Sequence, residues 1–312
     1  MPPVPIAPLI ALASAASWGG GDFCGAMGVR AAGGSTTSAL RFVVLSHSIS
    51  FTVLLLMLLA LRQPVPLGAP AVWAFAGGVA GGLGLTAFYI ALSRGAMGAA
   101  AAVSGLLAAA IPAAVSSSLE GAPRALTLAG FAMAALAIWM VAAGDSPEST
   151  DHSVATLVLA ACGGVGFGFY FVALKFAGSL GLVAPMALAR AGSLVVCLLL
   201  LGVMAVGRVA DPEKQILRSA QDDNLERIWL RWPLLRWESL RWALGVALLD
   251  TGGNTLFVAA TRLGRLDVAA VLASLYPAGT ILLAAWHLHE RPTRRQLAGM
   301  AAALAAVVMI TT

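Results

Sequence analysis

The sequence predicts an all-α integral membrane protein with ten transmembrane helices, arranged as two inverted five-helix repeats. Three observations predict it. Hydrophobic residues make up 60% of the 312-residue chain and charged residues 11%, against about 25% charged residues in a soluble domain. Most of the few charges fall between apolar tracts that are long enough to cross a bilayer. The chain also resembles itself at a fixed offset.

A helix needs about 20 apolar residues to cross roughly 30 Å of hydrocarbon. The first such tract is 6–29; the N-terminal stretch MPPVPIAPLIALASAASW lacks the basic region and short apolar region of a cleaved signal peptide and reads as the first span. Spans 37–61 and 71–92 are parted by the Pro-rich RQPVPLGAP, and 97–118 and 124–143 by Glu120-Gly121-Ala122-Pro123. After GDSPESTDH come 153–174, then 182–206, which admits Arg190, and 242–261, which admits Asp250. The last two, 267–288 and 295–311, flank HERPTRR. Pro112 and Pro277 fall inside the fourth and ninth spans, one in each half, where an interrupted helix would point to a binding site. The pairs Gly77/Gly81, Gly78/Gly82 and Gly164/Gly168 have the spacing that lets helix backbones approach closely.

The repeat rests on glycine and proline, because chance matches of Ala and Leu are common in apolar sequence. At an offset of 169 (255 − 86), Thr86-Ala87-Phe88 meets Thr255-Leu256-Phe257, and Gly84, Ala91, Gly95 and Pro123 meet Gly253, Ala260, Gly264 and Pro292. Leu128-Ala129-Gly130 meets Leu297-Ala298-Gly299 at the same offset. Upstream, Leu40-Arg41 aligns with Ala189-Arg190 at 149, so 20 residues (169 − 149) are added between the seventh and eighth spans. The halves are therefore 1–145 and 153–312, with an insertion at about 208–241. Five spans per copy reverse the second copy in the membrane, which is a transporter pattern. The insertion has two open readings: a Trp-rich helix lying on headgroups, or an irregular loop with Trp anchors.

Several motifs resemble the EamA-type branch of the drug/metabolite transporter superfamily. Trp18-Gly19-Gly20-Gly21-Asp22-Phe23 is similar to the WGxxDF start of some members. Leu275-Tyr276-Pro277, Glu290-Arg291 and Gln296-Leu297-Ala298-Gly299 resemble the family's close, with His289 where Gly is usual and a degraded copy at Leu119-Glu120-Gly121-Ala122-Pro123. The resemblance implies a ten-helix secondary transporter, an exporter or importer of small metabolites across the cell (inner) membrane, often proton-coupled. It also implies that both termini are cytoplasmic. The loop charges do not choose an orientation, since five basic residues fall on each side and the insertion adds seven to the outside.

Charges inside spans are costly and mark candidate sites. Ser14, Trp18 and Asp22 recur at i, i+4 as one stripe. Asp22 is read as a proton or cation site facing a central cavity, or as a cap near the helix end. Asp250 stands midway along its span with Asn254 and Thr261 on the same stripe; it faces a cavity or hydrogen-bonds a neighbouring helix. Arg41 and Arg190 are candidates for a substrate carboxylate or phosphate, or for snorkelling to headgroups. His47 and His287 read as packing residues; Tyr89, Tyr170 and Tyr276 could line a cavity or belong to the aromatic belts. The expected partners are a small solute, lipid and protons.

No metal, cofactor or catalytic residue is expected. Cys24, Cys162 and Cys197 show no ligand spacing, and no HExxH, Walker A or GxSxG context occurs. The 19 basic residues against 14 acidic ones form no basic face of the kind nucleic acid requires. An intramembrane enzyme acting on lipid-linked substrates and a non-transporting scaffold remain the alternative functions. Asp22 and Asp250 lie too deep for interfacial lipid chemistry.

Overall fold

A computed structural model describes residues 6–32, 35–64, 66–93, 97–142, 154–209, 237–287 and 293–311. All of its regular elements are helical. They are α1 (Ile6–Ala31), α2 (Thr36–Ala60), α3 (Ala69–Ser93), α4 (Met97–Glu120), α5 (Ala125–Ala142), α6 (Val154–Ala177) and α7 (Val183–Val209). The second half continues with α8 (Trp237–Leu263), α9 (Leu266–Ala273), α10 (Tyr276–His287) and α11 (Arg294–Thr311). Among the described residues six helices (α2, α3, α4, α6, α7 and α8) are long and apolar enough to cross a membrane, and α5 and the Leu266–Thr280 run are shorter apolar segments. Helix α1 has the length, at 26 residues, but its Ser, Gly and Asp22 lower its hydropathy.

Two local departures from the sequence expectation have physical causes. The ninth span is broken at Ser274-Leu275. Pro277 has no N–H to return to the carbonyl of Ala273, and its ring crowds that carbonyl, so α9 ends and α10 starts afresh. Pro112 does not break α4, which runs continuously past it. Residues 237–241, expected in the insertion, instead open α8, where Ser239 is buried. Residues 210–236 of the insertion, and His289-Glu290-Arg291-Pro292, lie outside the described residues.

The outer surface is apolar, and several polar side chains lie inside with the hydrophobic core. Leu56, Leu59, Val72, Leu199, Val203, Leu248 and Leu304 are exposed, whereas Ser14, Ser46, His47, Ser104, Arg190 and Asn254 are buried. Apolar area facing outward is stable only in a solvent as apolar as itself, so these side chains form the lipid-facing surface.

Glycine sets how closely the interior helices approach. Helix α1 packs chiefly on α8 and α3 on α6, and α3 packs also on α7, α4 on α6, and α5 on α11. A Cβ on Gly253 would sit 2.6 Å from the Trp18 ring, and one on Gly84 3.0 Å from the Gly163 carbonyl. The expected small-residue pairs divide cleanly. Gly77/Gly81 face Ala173 and Tyr170 of α6, Gly78/Gly82 face Ala189 and Ser193 of α7, and Gly164/Gly168 face Ser104 and Ile111 of α4. Gly130 of α5 seats Ile310 of α11, while Gly299 of α11 seats Val141 of α5.

Both ends of the described chain lie at one end of the bundle, where Ala7, Gly264, Arg265, Ile310 and Thr311 line a common hollow. A polar network closes this end. Lys175 pairs with Glu120 at 3.2 Å and donates to the Thr261 carbonyl at 2.7 Å. Arg265 donates to the Gly121 carbonyl at 2.6 Å and pairs with the fully buried Asp267 at 2.8 Å.

Candidate functional site

Midway through the bundle, α1, α2, α3, α4, α6, α7, α8 and α10 enclose a cavity of about 90 Å³, room for several waters or a small solute group. Its polar lining is Asp22, His47, Tyr170, Arg190, Ser193, Asp250, Asn254 and Tyr276; Trp18, Phe88, Phe167 and Phe171 supply much of the apolar wall. Position along each helix explains the convergence. Arg190 and Ser193 are one turn apart on the α7 face that Gly78 and Gly82 admit closely. Asp250 and Asn254 are one turn apart on α8, against Gly21 of α1.

The core of the site is an ion pair. Arg190 Nη2 donates to Asp250 Oδ2 and, at 3.3 Å, to Thr251 Oγ1. Its Nη1 lies 3.1 Å from His47 Nε2, and His47 Nδ1 lies 2.8 Å from Ser193 Oγ. A guanidinium only donates, so Nε2 must accept, and the imidazole is the neutral tautomer whose Nδ1–H donates to Ser193. Asn254 Nδ2 donates to Asp250 Oδ1 at 3.3 Å. The Arg190 side chain is 6% exposed and that of Asp250 29%, so the carboxylate is the member facing open space.

An aromatic layer lies beside the charges. Trp18 stacks on Phe171 with centroids 4.9 Å apart and planes 5° from parallel, tilts against Phe257 and meets Tyr276 edge-on. Ser14, one turn from Trp18, donates to the Gly253 carbonyl at 2.8 Å and fastens α1 to α8. Pro112 leaves the carbonyl of Ala108 without its usual helix donor, and Ala108 lines the cavity.

Five of the six sequence candidates therefore meet in one place: Trp18, Asp22, Arg190, Asp250 and Asn254. Arg41 does not join them. It is half-buried near the start of α2 and is not among the residues that line the cavity. Six positions separate it from His47, about 120° around the helix by the shorter way, so the two present different faces, and one of them lines the cavity. His47 is that residue, and sequence reasoning missed it. Its position on a different α2 face from Arg41 was a readable signal, though a periodicity shared by any core-facing histidine. Tyr170 and Tyr276 line the cavity; His287 is exposed and packs edge-on against Phe23 and Trp242. Among the described residues no cluster of His, Cys, Asp and Glu is arranged to hold a metal ion.

Comparison with known proteins gives the same class. Residues 223–312 match the model of the EamA-like transporter family, part of the drug/metabolite transporter superfamily. No curated protein sequence matches the chain. A solved crystal structure superposes with a TM-score of 0.70 over 98% of this chain and 96% of its own, at 16% identity, a likeness of fold alone.

Proposed function

With an EamA-like transporter segment over residues 223–312 of an integral multi-pass membrane protein as the premise, we propose that the chain is a secondary transporter of small solutes across the cell membrane. It works by alternating access, with ten spans in two inverted five-helix halves, 1–145 and 153–312. The observation that carries this is a charged cavity lined by residues of both 1–145 and 153–312, inside a bundle whose outside is apolar. A closed membrane scaffold has no use for an Arg–Asp pair at that depth, where charge is expensive.

The packing supports the repeat. If α1–α5 correspond to α6, α7, α8, α9/α10 and α11, the α1–α8 contact has α6–α3 as its counterpart, and α5–α11 is its own. Gly130 and Gly299, matched at the 169-residue offset, each seat the other's helix. Phe88 and Phe257, and Ala91 and Ala260, are buried at matched positions.

Proton coupling would run through Asp22 and Asp250. Asp250 is tied to Arg190 and Asn254, whereas Asp22 has no hydrogen-bond or ion-pair partner among the described residues. Asp22 is thus the freer proton carrier, and Asp250 becomes one when its pair with Arg190 opens. Radiolabelled uptake into proteoliposomes, with and without a pH gradient, tests both levels. We expect accumulation to rise with the gradient in wild type and to lose that dependence in Asp22→Asn. Gradient-driven uptake at the wild-type rate in Asp22→Asn would remove the proton role, and no uptake of any solute by folded protein would remove transport. Deleting residues 213–236, between α7 and α8 in the chain, should leave monodisperse, transport-competent protein.

A further inference from the structure

The charges lining the cavity do not balance. Arg190 supplies the one fixed positive charge among the lining residues, and it is already engaged by Asp250, Thr251 and His47. His47, accepting from the guanidinium, is neutral. Asp22 is left as a second carboxylate without a partner among the described residues. Once Asp22 has given up its proton, two carboxylates against one guanidinium leave a surplus of one negative charge.

The buried neutral atoms point the same way. Asn254 is 1% exposed. Asp250 Oδ1 can only accept, so the amide must turn its Nδ2 toward it, and Oδ1 is the atom left without a partner. The Tyr170 hydroxyl is the other buried lining atom without one. The Asn254 oxygen can only accept and the Tyr170 hydroxyl can accept as well as donate, so a donor brought to either would remove a desolvation cost. The wall around them includes the rings of Trp18, Phe88, Phe167 and Phe171, and aromatic rings attract cations.

From this imbalance we propose that the cavity takes a cationic amine, its ammonium held by Asp22 and the free oxygens of Asn254 and Tyr170, its apolar body against the aromatic wall. The inference rests on the transport function proposed above and adds the substrate's chemical class. A substrate carboxylate fits worse. To reach Arg190 it would have to displace Asp250, leaving that carboxylate unpaired in the bundle beside Asp22. No ligand proton need move: an ammonium brings three N–H donors to three waiting acceptor sites.

Equilibrium binding of radiolabelled phenethylamine to the full chain in nanodiscs tests this, with hydrocinnamate as the carboxylate of matching shape and phenethylguanidinium as a permanently charged competitor that keeps N–H donors. We expect saturable amine binding, displaced by phenethylguanidinium and not by hydrocinnamate. It should be at least tenfold weaker in Asp22→Asn and recover in Asp22→Glu. Saturable hydrocinnamate binding, binding of neither probe, or equal amine affinity in Asp22→Asn would overturn the proposal. Should Asp22→Asn not fold, the wild-type choice between amine and carboxylate decides alone. Proteoliposome uptake separates the two levels. Accumulation of hydrocinnamate without amine binding removes the amine class and keeps transport. Amine binding with no accumulation of phenethylguanidinium keeps the class of ligand and removes transport.

Discussion

Asp250→Asn takes one charge from the Arg190–Asp250 pair and leaves the other in the bundle. The Arg190 side chain is 6% exposed, too little for water to replace the lost carboxylate. Removing one partner of a buried pair costs about 3–5 kcal/mol. Asp250 itself is 29% exposed toward the cavity, and Asn keeps an acceptor oxygen for the guanidinium, so the expected cost is at the low end, about 3 kcal/mol. That is on the order of a hundredfold in the unfolding constant. Arg190→Met leaves the more exposed member alone and should cost about 2 kcal/mol. The double variant holds no unpaired charge, and its cost should fall below about 2 kcal/mol, giving a coupling of about 3 kcal/mol. Titration with SDS in mixed micelles, followed by tryptophan fluorescence, measures all three against wild type. Single costs under about 1 kcal/mol, or a double variant equal to the sum of the singles, would refute the claim that a desolvated pair organises the site.

Three further outcomes follow from the packing. Gly78→Leu should give no monodisperse protein, because even its Cβ would lie 2.0 Å from the Ala189 carbonyl; Gly202→Ala, with nothing within 4 Å, should be extracted like wild type in the same size-exclusion assay. Trp18→Ala removes the ring stacked between α6 and α8 and should cost about 3–5 kcal/mol in the SDS titration; a cost under about 1 kcal/mol would show that the aromatic layer does not hold α1. Cysteines placed at Ala7 and at Thr311, with the native cysteines replaced, should be labelled from the same face of sealed vesicles, since both positions line one hollow; labelling from opposite faces would mean an odd number of crossings.

The sequence alone determined the solvent and the scaffold. A chain with 11% charged residues cannot cover a globule in water, and apolar tracts of about 20 residues have few structures open to them except bilayer-crossing helices. Helix ends were legible to within a few residues because Pro, Gly and charge mark them, and the small-residue pairs named the close contacts in advance. Asp22, Arg190, Asp250, Asn254 and Trp18 stood out because intramembrane polar groups are rare. What the tertiary structure decided is which of these groups meet. Asp250 reads along the chain as a solitary carboxylate and Arg190 as a solitary cation; only the approach of α7 to α3 and of α8 to α1 brings them together and leaves Asp22 without a partner. The split between Arg41 and His47 had the same origin. Periodicity places the two residues on different faces of α2, but the helix that packs there decides which face is the inside, and that choice depends on contacts between residues 140 or more positions apart.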